Sequence, residues 1–173
     1  MKKSSQGYTA MQLALHWGIA VLVLYQLVFG EVMGDLGHYL RGLKESGAQP
    51  DPTVLDPLNQ GANLHIYVGI AILLLTAIRL LVRLSVGAPE PVPGPALQVK
   101  VAQLLHFGFY VLLFAVPVTG LLAEYVSREF GDIHELAKPV FIVFILVHAG
   151  AALYHHFVVK DSTLMRMMKP GSL

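Results

Sequence analysis

The chain has 173 residues, 55% of them apolar and 13% charged, with a formal net charge of +1. The charged fraction is about half the roughly 25% of ordinary soluble domains, which argues against a soluble globular fold, and nothing in the charge calls for a nucleic-acid partner. No cysteine is present, so disulfides, iron–sulfur clusters and c-type haem attachment are excluded and histidine is the chief soft ligand left.

Cutting the chain at its charged and Pro/Gly-rich stretches leaves four apolar runs, each with the roughly 20 residues that a helix needs to cross a ~30 Å hydrocarbon core. The expected fold is an all-α integral membrane protein, one domain over residues 1–173, built as a four-transmembrane-helix up-and-down bundle. Its helices are expected at about 10–31, 62–84, 99–123 and 134–159.

Residues Met1 to Thr9 form a short polar lead, expected to be mobile. The first run, behind Lys2 and Lys3, is longer than the 7–15-residue core of a signal peptide and lacks an A-x-A-like site, so it reads as a span. It carries His16 and Trp17. The segment from Gly30 to Gly61, rich in Gly, Pro and Asp, is expected to be a long loop, with DPTVLDP its most turn-like part and His38 solvated in it. The second run has His65 near one end and Arg79 and Arg83 at the other, where they can snorkel to lipid phosphates. Four prolines between Ala88 and Ala96 make the next connection a stiff spacer. His106 and a kinking Pro117 mark the third run.

The last run, from Ile133 to Lys160, holds four of the eight histidines: His134, His148, His155 and His156. An ionisable side chain inside a membrane is by default a functional-site hypothesis. His134 and His148 are separated by about 40° less than four full turns and by about 21 Å of rise, so they share a face at two depths, provided Pro139 does not spoil the phase. His65 stands level with His134. His16 lies ~22 Å below the outer end of its helix, level with His148, and His106, at ~24 Å, is a rival for that lower place. Two pairs of histidines on facing helices suit bis-histidine haem, one per leaflet. Small residues stand where a flat macrocycle needs room: Ala20, Gly69 and Ala149 to Ala152. Arg79 and Arg83 could then pair the propionates of the inner haem. Of His155 and His156, one is a candidate hydrogen-bond donor to a quinone carbonyl, with His155 the cofactor-binding choice, and the alternative is that both are interfacial.

Eight of the twelve basic residues flank one side of the spans: Lys2, Lys3, Arg79, Arg83, Lys100, Lys160, Arg166 and Lys169. By the positive-inside rule both termini are expected in the cytoplasm. The opposite side holds nine acids against Arg41, Lys44, Arg128 and Lys138, a poor collector for an anion unless those four cations converge.

HW in the first run, His65 with RLLVRL in the second, the His134 to His148 spacing and the ending HHFVVKDSTLMRMM resemble the bacterial cytochrome b561 family. The likeness extends from Tyr8 to Met168. It implies two b haems, with His16 paired to His148 and His65 to His134 as iron ligands, and leaves His106 a packing role. It further implies a multi-pass protein of the bacterial inner membrane that passes electrons between a periplasmic donor, superoxide among the candidates, and the quinone pool, with ubiquinone as acceptor and membrane lipid around it. The alternative expectation is a haem-bearing membrane anchor and electron-transfer subunit of a peripheral dehydrogenase or hydrogenase.

Overall fold

The computed structural model describes residues 7–171. Lys2, Lys3 and most of the lead expected to be mobile lie outside the described residues. Among the described residues every regular element is helical, and four helices are long and apolar enough to cross a membrane. The expected all-α bundle is what the chain forms.

Helix α1 runs Ala10–Phe29 and opens on a capping box, in which Thr9 accepts from the Gln12 backbone and the Gln12 side chain accepts from the Thr9 backbone. After Gly30 the chain continues into α2, Val32–Ser46, which ends on Gly47 in the left-handed conformation that glycine adopts freely. Helix α3, Pro52–Val86, returns antiparallel to α1 and α2. Helix α4 spans Ala96–Tyr125. The last span is divided into α5, Glu129–Glu135, and α6, Ala137–Tyr154, and closes on a π-turn over His155–Val159.

Two expectations are corrected. The segment from Gly30 to Gly61 is not a long loop, because α2 and the first ten residues of α3 fill most of it as a helical hairpin. The turn-like DPTVLDP is a helix start: Asp51 caps by accepting from the Thr53 backbone at 2.9 Å, and Pro52 sits where a missing N–H costs nothing. Tyr39 closes the hairpin by accepting from the Asp51 backbone at 2.9 Å. His38 is therefore helical, though exposed as expected. The second correction concerns the last span, whose ladder is interrupted at Leu136. Proline crowds the carbonyl four residues before it, which for Pro139 is that of Glu135, so the irregularity falls where the ring forces it.

The helices pack α1 on α3, α3 on α4, and α4 on α5 and the start of α6. Most of the large apolar side chains face outward, as spans in lipid require. What core there is lies mid-bundle: Ile19 and Val23 of α1, Ile72 of α3, Leu113 of α4, and Ala137 and Phe141 of α6. Thr76 is completely buried.

Both chain ends are tied to one end of the bundle. Trp17 donates its indole N–H to the Met167 carbonyl at 2.8 Å, and the Gly171 backbone donates to Tyr8. Arg166 donates to the Glu90 carbonyl at 2.8 Å, fastening the proline-rich spacer to the same tail. We call this the tail end and the opposite one, carrying α2, the hairpin end.

Candidate haem-binding site

The bundle brings histidines together at two levels. At the hairpin end, His65 of α3 and His134 of α5 have ring centroids 6.0 Å apart and ring planes at 82°. At the tail end, His16 of α1 and His148 of α6 are 6.2 Å apart at 58°. Between the two levels lies the apolar layer of Ile19, Val23, Ile72, Leu113 and Phe141.

Two imidazoles bound on opposite sides of one iron have ring centres about 6.2 Å apart, the ~2.0 Å metal–nitrogen bond plus ~1.1 Å to the ring centre, counted twice. Both pairs meet that separation. His106 of α4 lies only 5.3 Å from His148, edge-on, and Phe109 also packs edge-on against His148 at 5.3 Å. Rings at that distance touch each other and leave no room for a metal between them. The residues present therefore fit two bis-histidine haems. Among the described residues no group of three or more His, Asp or Glu side chains could hold a bare metal ion instead.

Local chemistry prepares the hairpin-end pair. His134 Nδ1 lies 2.9 Å from the Val116 carbonyl, which makes Nδ1 the protonated nitrogen and leaves the lone pair on Nε2. The Val116 carbonyl, just before Pro117 in α4, also accepts from the Thr119 hydroxyl. Gly120 gives the ring its space, since a Cβ there would stand 2.9 Å from Cε1 of His134. Gly30 does the same for His65, at 3.3 Å from Cε1. The Nδ1 of His65 is buried without a hydrogen-bond partner.

At the tail end Trp17 stacks edge-on against His16, 5.3 Å between centroids. Arg79 is half-buried and donates to the Gln12 carbonyl at 3.1 Å, while Gln12 donates to the Gly87 carbonyl at 2.8 Å. Arg83, one turn on, is exposed. His155, two turns beyond His148, pairs its Nδ1 with Asp161 at 2.5 Å. Burial pushes the Asp161 carboxyl up, but hydrogen bonds from His155 and from the side chain and backbone of Thr163 outweigh it and hold the group below the usual carboxylate range. The π-turn and Lys160, in the left-handed region at φ 61°, fold Asp161 back to meet His155.

Comparison with known proteins gives the family. A family model described as prokaryotic cytochrome b561 matches residues 7–170. The chain belongs to that family. It is 37% identical over 167 residues to cytochrome b562 of Cereibacter sphaeroides, covering 95% of this chain and 96% of that one. It is 29% identical to the probable superoxide oxidase CybB of Yersinia pestis, over 93% of this chain and 95% of that protein. Cytochrome b561 homolog 1 of Escherichia coli is 32% identical over 60% of this chain and 72% of its own length. Membership in cytochrome b561 implies haem b and makes this chain a multi-pass bacterial membrane cytochrome.

Several residues that shape the site were not singled out in the sequence. Gln26, Gly30 and Gly120 surround the hairpin-end histidines, and Asp161 partners His155. Gln26 carried a readable signal as a polar side chain inside an apolar span. The two glycines carried none, because glycine is common in membrane helices.

Proposed function

We propose that this cytochrome b561 carries electrons across the membrane between a donor on the hairpin side and quinone on the tail side. His65 and His134 would hold one haem b and His16 and His148 the other. The observation that carries the reading is the pair of ring separations, 6.0 and 6.2 Å, on two levels divided by an apolar layer. Bound there, the haems would supply one-electron chemistry. The chain's own part is to fix four imidazoles, keep water out of the middle of the bundle, and present charge at its ends.

At the tail end Arg79, which reaches the Gln12 carbonyl one turn before His16 on α1, and Arg83, one turn further along α3, would pair propionates, and His155, held by Asp161, would be the donor offered to a quinone carbonyl such as that of ubiquinone. Both termini are assigned to the cytoplasm by the basic flanks. The hairpin end then faces the periplasm. Superoxide is one donor consistent with the likeness to the Yersinia pestis protein. Of the four cations available there, Lys138 is already paired with Glu31. A second reading, an electron-transfer anchor for a dehydrogenase or hydrogenase, is favoured by the α2–α3 hairpin, which offers a partner more surface than a loop would.

Stopped-flow mixing tests the reading. Purified protein should show two low-spin b haems per chain, reduced by superoxide or another small donor and reoxidised by ubiquinone. Protein that binds no haem would overturn it, and reduction only by a co-purifying dehydrogenase would select the second reading.

A further inference from the structure

The buried amide of Gln26 is unaccounted for by the pairs described so far. Its Nε2 donates to the main-chain carbonyl of His65 at 2.8 Å, so the side chain reaches across from α1 to the backbone of a histidine on α3. Its Oε1 is buried with no hydrogen-bond partner, and so is the Nδ1 of His65. One is an acceptor without a donor, and the other a ring nitrogen without an acceptor, on two residues already joined through the Gln26 amide and the His65 main-chain carbonyl. Leaving both unpaired in a hydrocarbon interior is expensive.

A histidine that binds a metal through one nitrogen almost always gives its other N–H to an oxygen, which fixes the ring and raises its basicity. His134 already has this arrangement through the Val116 carbonyl. His65 lacks it. We propose that Gln26 is the positioning residue for His65, its Oε1 accepting the Nδ1–H when the Nε2 of His65 holds iron. Gly69, one turn along α3, lies beside the Gln26 amide, since a Cβ there would stand in ordinary contact with its nitrogen at 3.6 Å. The inference rests on the reading of His65 as a haem ligand.

An acceptor on Nδ1–H makes imidazole a stronger donor to iron, which favours the oxidised state and lowers the potential. Gln26→Leu removes the acceptor and should raise the midpoint potential of one of the two haems. Gln26→Glu supplies a stronger acceptor and should lower the same midpoint. The other haem should stay where it is in both variants. A role confined to packing would move the two variants in the same direction or not at all, and either result overturns the proposal. So does an unchanged potential in Gln26→Leu. If Gln26→Leu does not assemble, the sign of the Gln26→Glu shift decides. If neither assembles, the wild-type protein decides: with glutamine side-chain carbonyls labelled with carbon-13, the reduced-minus-oxidised infrared spectrum must contain an isotope-sensitive amide band, and its absence overturns the proposal. Failure of the underlying reading looks different, since His65→Ala would then keep both haems.

Discussion

Gly120 lies directly against the ring of His134, so close that a Cβ built on it would stand 2.9 Å from Cε1 and 3.0 Å from Nδ1. Contacts of that kind are not tolerated, and both atoms belong to a ring that is held by its hydrogen bond to Val116. Gly120→Ala should therefore push the imidazole off the Val116 carbonyl. The expected result is about tenfold weaker retention of the hairpin-end haem, read as the haem-to-protein ratio after detergent dilution. Gly34→Ala is the control. Nothing lies within 4 Å of that position, and losing a helix glycine should stabilise α2 by up to about 1 kcal/mol.

The two histidine levels share no side chain and are divided by packed apolar residues, so they should fail independently. His134→Ala should remove one haem and leave the other, and His148→Ala should do the reverse, each halving the reduced absorbance. His106→Ala should keep both, because its ring touches His148 edge-on at a distance too short to admit iron. Simultaneous loss of both haems from a single histidine variant would contradict two separate sites.

The bundle and its histidines were legible because the physics behind them is local. Lipid demands long apolar helices, and a regular helix converts residue number into depth, so His16, His65, His134 and His148 could be set on two levels from spacing alone. The depth of His106 could not be separated from that of His16 in this way, since lateral position depends on which helices pack together. The hairpin was misread for another reason. Gly34, Gly37 and Gly42, together with Pro52 and Pro57, resemble a loop by composition, and α2 becomes helical by lying along α3, a tertiary contact that composition does not reveal. The break at Leu136 leaves each of the two histidines beside its own partner, His134 by His65 and His148 by His16.

The bond between His155 and Asp161 should make the tail sensitive to acid. The Asp161 carboxyl is held below its ordinary range, so the pair contributes stability that is fully present above the unfolded carboxylate value of about 3.9 and is lost as pH falls through the lower folded value. Protease cleavage after Lys160 should accordingly stay slow from neutral pH down to about 4 and rise below it. Asp161→Asn should bring rapid cleavage to neutral pH, and an unchanged profile would show that the bonds of Trp17 to Met167 and of Arg166 to Glu90 hold the tail unaided.

Thr76 is the one completely buried side chain among the described residues, and its hydroxyl has no hydrogen-bond partner. It sits on α3 between the histidine levels, in the same span as the buried Ile72. A buried hydroxyl left unpaired costs about 1–3 kcal/mol, whereas an apolar group of the same shape costs nothing comparable. Thr76→Val keeps the branched shape and removes the polar atom, so it should stabilise the protein by about 1 kcal/mol, seen as a higher midpoint for thermal loss of haem absorbance. Both haem potentials should stay unchanged. A lower midpoint would mean that the hydroxyl holds an ordered water between the two levels, and the apolar layer would then be wet at that point.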